Sequence, residues 1–307
     1  MQISIIISTI DRKEILYESL GKAYQAIAGI DGEIIVINDS KTTEVLLMPE
    51  WTNKVKVLNN SKHGVASARN LGASKASAAL LLFMDDDMWI SADNIKTIIS
   101  LHQRCADKIC INLNWVYPPV LAKQIKGTQF GRYLSYFGFD SLKGWRKGLL
   151  WRDEDIFPVE GITSQNLSIM KSNFLQAGGY NEKFPLAGYE DYDFSRRLKV
   201  AGIQPYICPL SMMYHNEVDR MEVKLWLDRK KRGGETRRTA VKMGHTDLKL
   251  NYGFLKSSVY IMLIPLLPKF YYSLSLIPNV KALDPVYFKV LNTMLGIVVF
   301  EGYQKKI

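Results

Sequence analysis

Five consecutive apolar residues, Leu80-Leu81-Leu82-Phe83-Met84, run straight into three carboxylates, Asp85-Asp86-Asp87. A run without alternation predicts a strand buried on both faces, the state of a central strand in an open α/β sheet. The pattern recurs. Residues 3–7, apolar but for Ser4, end at Ser8 and Thr9, and residues 33–37 end in Asn38-Asp39-Ser40. Strands that each close in polar groups restrict the chain to an α/β fold with a mostly parallel central sheet and helices on both faces, where ligands collect outside the carboxyl ends of the strands. The three adjacent acids are either a solvated acidic turn or the holders of a hard divalent cation. Mg²⁺ and Mn²⁺ prefer oxygen ligands and take few carboxylates, completing their shells with water and substrate phosphates.

The intervening stretches fit this plan. Asp11 and Glu14 have the spacing of a helix-starting box; Leu16, Leu20, Ala23 and Ile27 recur at helical intervals, and Gly29 and Gly32 are the expected stops. Residues 55–58 predict a third strand. Residues 64–79, rich in Ala and Ser and holding Gly72, predict a closely packed helix. Beyond Cys110 the pattern loosens to aromatics among glycines and basic residues, either a substrate-shaping insertion or ordinary packing. Residues 165–170 read as another strand, and Glu190-Asp191-Tyr192-Asp193 opens a helix that Gly202 stops. Acids at a helix start have a structural explanation, since they cap free N–H groups and suit the positive end of the dipole. A lone His215 near a strand end is either structural or a metal ligand.

In this order the residues resemble the family 2 glycosyltransferases, inverting enzymes with a GT-A fold. The resemblance rests on Ile5-Ile6-Ile7-Ser8-Thr9, residues 33–39, Gly64 with Ala68-Arg69-Asn70-Leu71-Gly72, Phe83 through Asp87 as the D-x-D, Gln165-Asn166-Leu167-Ser168-Ile169, Gly178-Gly179-Tyr180-Asn181-Glu182, and Glu190 through Phe194 with Arg197. It covers about residues 1–216. Asn38 stands where the family usually has a first aspartate, and Ala79 where it has a glycine. The resemblance implies a nucleotide-sugar donor, a UDP- or GDP-sugar, contacted by Thr9, Asp39, Arg69, Asp85 and Asp86. It implies Mn²⁺ or Mg²⁺ on Asp85, Asp87 and His215, and a catalytic pair Glu190 and Asp191, with Asp191 as the base. A nucleotidyltransferase on a similar sheet would also use paired acids and a metal, but leaves the Glu190-Asp191 helix start unexplained; a non-catalytic nucleotide-sugar or membrane-binding module is the other alternative.

The implied domains are a GT-A catalytic domain over 1–218, with a nucleotide-sugar half (1–110) and an acceptor half (111–218), followed by a helical appendage over 219–307. The net charge of +10 calls for an acidic partner. Residues 220–256 hold eleven Lys or Arg against four Asp or Glu, without a nucleic-acid motif. Apolar stretches follow, the first broken by Pro265 and Pro268 and flanked by Lys256 and Lys269. Either these helices pack on the catalytic domain, or they lie on an anionic cytoplasmic membrane face, which points to a glycan or lipid-linked acceptor and surface polysaccharide synthesis. Three cysteines, with no signal peptide ahead of residues 3–7, predict a reducing, cytoplasmic setting.

Overall fold

The computed structural model describes residues 1–305 apart from 106, 147, 149, 154 and 185. The described strands are β1 (Ile3–Thr9), β2 (Gly32–Asn38), β3 (Val55–Asn59), β4 (Leu80–Asp85), β5 (Met88–Trp89), β6 (Ile109–Val116), β7 (Phe157–Pro158), β8 (Asn166–Met170) and β9 (Gln204–His215). They form one sheet in the order β3-β2-β1-β4-β8-β6-β9-β5, with β7 on β9. The first four strands of that order are parallel. β8 is antiparallel to both β4 and β6, and β6 is parallel to β9.

This order assembles the site. Register pairs Thr9 with Asn38 and Ser8 with Asp85, so the polar ends of β1, β2 and β4 share one edge. Because β8 runs the other way, it brings its beginning to that edge, pairing Asn166 with Met84. β9 runs like β4 and therefore delivers His215 there, opposite Met88 of β5.

Alternate residues of the buried strands feed two cores. Ile5, Ile7, Leu82 and Met84 pack with Leu16, Leu20, Ile95 and Ile98 from helices Lys13–Ala26 and Ala92–Arg104. Ile6, Ile37 and Phe83 pack on the opposite face, with Ala68 and Ala73 of helix Val65–Lys75 and Phe194 and Leu198 of helix Glu190–Val200. Gly72 permits that contact, since a Cβ there would overlap Ile6 Cγ2. Gly72→Val should cost at least the upper part of the ~1–3 kcal/mol expected for overpacking, read as a lowered urea midpoint; an unchanged midpoint would contradict the packing.

Local chemistry moved several expected boundaries. The box at Asp11 does not form: Asp11 accepts hydrogen bonds from the Ser40 and Thr43 hydroxyls at 2.5 and 3.0 Å, and Arg12 caps the helix without a side-chain bond. That helix stops at Ala26, before Gly29, and Gly32 opens β2. The region expected to be loose begins with β6, a buried strand disguised by Asn112 and Asn114. Asn112 is satisfied inside, donating to Thr163 O at 2.7 Å.

A third core joins Phe130, Tyr133 and Leu134 to Trp226, Leu227, Leu291 and Met294, anchoring the C-terminal helices on the aromatic region. Helices Val223–Lys242 and Asp284–Gln304 meet through Gly234 and Gly302. A Cβ on Gly302 would overlap Lys231 O, and one on Gly234 would overlap Val299 O. Residues Gly253–Leu276 and Lys281–Gln304 are each long and apolar enough to cross a membrane by length and composition; the first is 6% buried and the second 33%.

Candidate active site

The three acids after β4 part company. Asp85 points into a cavity and accepts a hydrogen bond from Arg69 Nη2 at 3.2 Å. Asp86 and Asp87 turn inward and are buried. Thr9 donates its hydroxyl to Asp86 at 2.7 Å, while Arg12 donates to both Asp86 and Asp87 and reaches Asp219 with two further bonds of 2.9 Å. A guanidinium thus relieves the repulsion expected between adjacent carboxylates. Burial, the largest influence, would raise Asp87, but the charges of His215, Arg12 and Arg220 outweigh it and hold its carboxyl well below the usual range. Asp86 moves the other way, raised by burial and by the charge of Asp87.

His215 Nε2 lies 3.2 Å from Asp87 Oδ1 and 3.8 Å from Glu217 Oε1. Tyr117 donates to Glu217 at 3.1 Å, and Arg229 donates to its other oxygen. Against burial, His215 and Arg229 pull Glu217 down to about 2; against burial, Glu217 and Asp87 raise His215. One ligand atom each from Asp87, His215 and Glu217 lies within 4.8 Å of the other two. Asp87 Oδ1 and His215 Nδ1 are buried without an aligned hydrogen-bond partner, and such orphaned atoms are costly unless something binds them. Two carboxylates and an imidazole are a donor set suited to Mn²⁺ and acceptable to Mg²⁺. Asp85, expected among the metal ligands, is not one of these three and accepts from Arg69 instead, while Glu217, which was not expected, completes the group.

The acids opening helix Glu190–Val200 also divide. None caps the helix, whose N-cap is Tyr189 without a side-chain bond. Glu190 is buried, accepting from Arg69 Nη1 at 2.9 Å and from Gly188 N–H. Asp193 accepts from Arg197 Nε at 2.9 Å. Asp191 is the more exposed of the two that line the cavity, held from behind by the Ser164 N–H at 3.0 Å, the Ser164 hydroxyl and, 3.8 Å away, Arg69. Burial raises its pKa, with Arg69 and Ser164 working against the rise.

The cavity has a volume of about 990 Å³ and brings together Arg69, Asp85, Glu190, Asp191, His215 and Glu217. Thr9, Asp86 and Asp87 are the support beneath it. Asp39 sits apart from this cavity and staples neighbouring loops: both its oxygens accept the Gly64 N–H at 3.0 and 2.9 Å, and Asn60 donates at 2.7 Å. Sequence reasoning missed Glu217, Arg12 and Ser164. Only Glu217 left a signal, two residues beyond His215. The far wall comes from the basic helix Val223–Lys242, including Lys230, whose ammonium burial and Arg229 lower to about 8.

The chain belongs to glycosyltransferase-like family 2, whose model matches residues 20–232. A glycosyltransferase of Haemophilus influenzae, itself uncharacterised, is 24% identical over 208 residues, 64% of this chain and 61% of the relative. Validoxylamine A glucosyltransferase of Streptomyces hygroscopicus subsp. limoneus is 27% identical over 219 residues, 66% of this chain and 48% of the relative. The chain thus spans about half the length of the relatives it matches. In fold it is similar to the mannosyltransferase PcManGT of Pyrobaculum calidifontis in complex with GDP-Man and Mn²⁺, with a TM-score of 0.53 at 12% identity over 96% of this chain and 74% of that one. The α/β architecture with C-terminal helices is that of the GT-A glycosyltransferases.

Proposed function

We propose that this protein is a metal-dependent inverting glycosyltransferase that moves a sugar from a nucleoside-diphosphate sugar to a hydroxyl of a glycan or lipid-linked glycan. The observation that carries the reading is the position of Asp191: its carboxylate faces the cavity that also holds Asp85, His215 and Glu217. In a single displacement the acceptor oxygen forms a bond to the anomeric carbon, the bond to the diphosphate oxygen breaks with its electron pair, and the hydroxyl proton passes to Asp191. Ser164 and Arg69 aim that base, and Glu190 acts by fixing Arg69. Asp87, His215 and Glu217 would hold Mn²⁺ or Mg²⁺, which when bound stabilises the negative charge on the leaving diphosphate. Thr9, Asp39, Arg69, Asp85 and Asp86 remain the donor-side residues, with Thr9 and Asp86 acting from beneath the cavity floor.

A ligand that binds only the folded state raises its melting temperature. One UDP- or GDP-sugar should therefore stabilise the protein in the presence of Mn²⁺; no response across a nucleotide-sugar panel with either metal would overturn the donor assignment. Because the metal displaces a proton from His215, whose pKa Glu217 and Asp87 raise, Mn²⁺ affinity should increase with pH until that imidazole is neutral, and then level off. His215→Ala should remove the binding. Titration by calorimetry at several pH values reads both, and pH-independent affinity would exclude His215 as a ligand.

The same reading takes the chain to lie peripherally on the cytoplasmic face of an anionic membrane and to serve surface polysaccharide synthesis. Support comes from Phe254, Leu255 and Met262, each at least 72% exposed on a helix that also carries Lys256. Deleting everything from residue 254 would also strip Leu291 and Met294 from the third core, so point substitutions test this better. Phe254→Glu with Met262→Glu should release the protein from vesicles containing anionic phospholipid. Unchanged co-sedimentation would count against the membrane.

A further inference from the structure

Every carboxylate facing the cavity already has a partner. Asp85 and Glu190 share Arg69, Asp191 is held by Ser164, Glu160 pairs with Lys199 at 3.0 Å, and Glu217 with Arg229. The cations do not balance. Among the described residues Lys230, Arg196 and Arg237 line the same cavity with no carboxylate within ion-pairing distance. Each rests on a ring: Lys230 Nζ lies 4.7 Å from the Phe139 centroid and 5.1 Å from that of Trp226, Arg196 lies 5.9 Å from Tyr192, and Arg237, whose Nε also donates to Leu248 O at 2.7 Å, lies 6.0 Å from Tyr189.

Lys230 and Arg237 are two helical turns apart on one face of helix Val223–Lys242, about 10 Å along its axis. Between them Gly233 and Gly234 line the cavity without a side chain, and a Cβ on Gly233 would meet nothing within 4 Å. Arg196 comes from the helix that carries Asp191 and lines the same cavity, whereas a donor diphosphate belongs with Asp87, His215 and Glu217.

We propose that the acceptor carries an anionic group, a phosphate or a carboxylate, received by Lys230, Arg196 and Arg237 while its hydroxyl meets Asp191. The inference rests on the glycosyltransferase reading and narrows its acceptor class. A charge-assisted contact favours such an acceptor over a neutral one by about 10-fold or more.

The test uses the full chain saturated with Mn²⁺ and whichever of UDP or GDP it binds, titrated with glucose, glucose 6-phosphate and glucuronate. At least one anionic sugar should bind about 10-fold tighter than glucose, and the better of the two identifies phosphate or carboxylate as the recognised group. Lys230→Met should erase the preference. Arg196→Gln, at an exposed position that leaves the fold intact, should reduce it several-fold. Equal binding, no binding by any of the three sugars, or a preference surviving in both variants overturns the proposal, as does a preference seen only before the nucleotide is added. Failure to bind either nucleoside diphosphate instead overturns the donor reading, a separate result.

Discussion

Replacing Asp191 with Asn should lower sugar transfer by roughly 10²–10⁴-fold, the usual worth of a positioned general base, while donor and Mn²⁺ still bind. Asparagine can keep the bond from the Ser164 N–H, so the cavity retains its shape and only the capacity to take a proton is lost. The pH dependence carries a second signature. Asp191 must be ionised to act, and burial raises its pKa above the ordinary aspartate value. The rate should therefore climb with pH along a limb whose midpoint lies above the ordinary aspartate value, and the residual activity of the Asn variant should lack that limb. Steady-state kinetics across pH, with donor affinity measured alongside, decides the matter; wild-type turnover in the variant would remove Asp191 from the mechanism.

Arg69→Leu should destabilise the protein by ~3–5 kcal/mol, the cost of stripping one partner from a buried ion pair. Arg69 is buried and joins Glu190 at 2.9 Å to Asp85 at 3.2 Å, with its guanidinium 5.2 Å from the Tyr180 ring centre. Burial already raises Glu190 despite the arginine; without it the carboxyl would be held further above its unfolded value. A group raised in this way favours the folded state at low pH and loses that contribution as pH rises through the folded pKa. The deficit of the variant should hence be largest near neutrality and shrink toward pH 5, as read from urea denaturation at both pH values. A constant or negligible deficit would mean that Arg69 does not neutralise these acids.

The sheet was legible because β1, β2 and β4 are buried on both faces and announce themselves by composition alone. β6 was hidden for the opposite reason: Asn112 and Asn114 interrupt its apolar run, and their burial depends on partners such as Thr163 and Pro209, far along the chain. The candidate site divides similarly. Acids at strand ends could be picked out singly, but only the antiparallel insertion of β8 and the direction of β9 explain how Ser164 and His215 reach the edge where β4 ends. Arg12 could not be singled out because its three acidic partners, Asp86, Asp87 and Asp219, are brought to it by folding. Which of Glu190, Asp191 and Asp193 faces outward was equally beyond local spacing, since Arg69 and Arg197 claim the other two.

The glycine contact between Gly234 and Gly302 leaves no slack between the last long helix and the helix that walls the cavity. Neither can slide or tilt alone without driving backbone into backbone. The last long helix and the far wall of the cavity are therefore a single strut, and on the proposed membrane reading the surface beneath the C-terminal helices would set the height at which Asp191 works. On that reading an acceptor hydroxyl held at a different height would miss Asp191 even with every recognition contact made, and the length of the strut would act as a gauge for the acceptor.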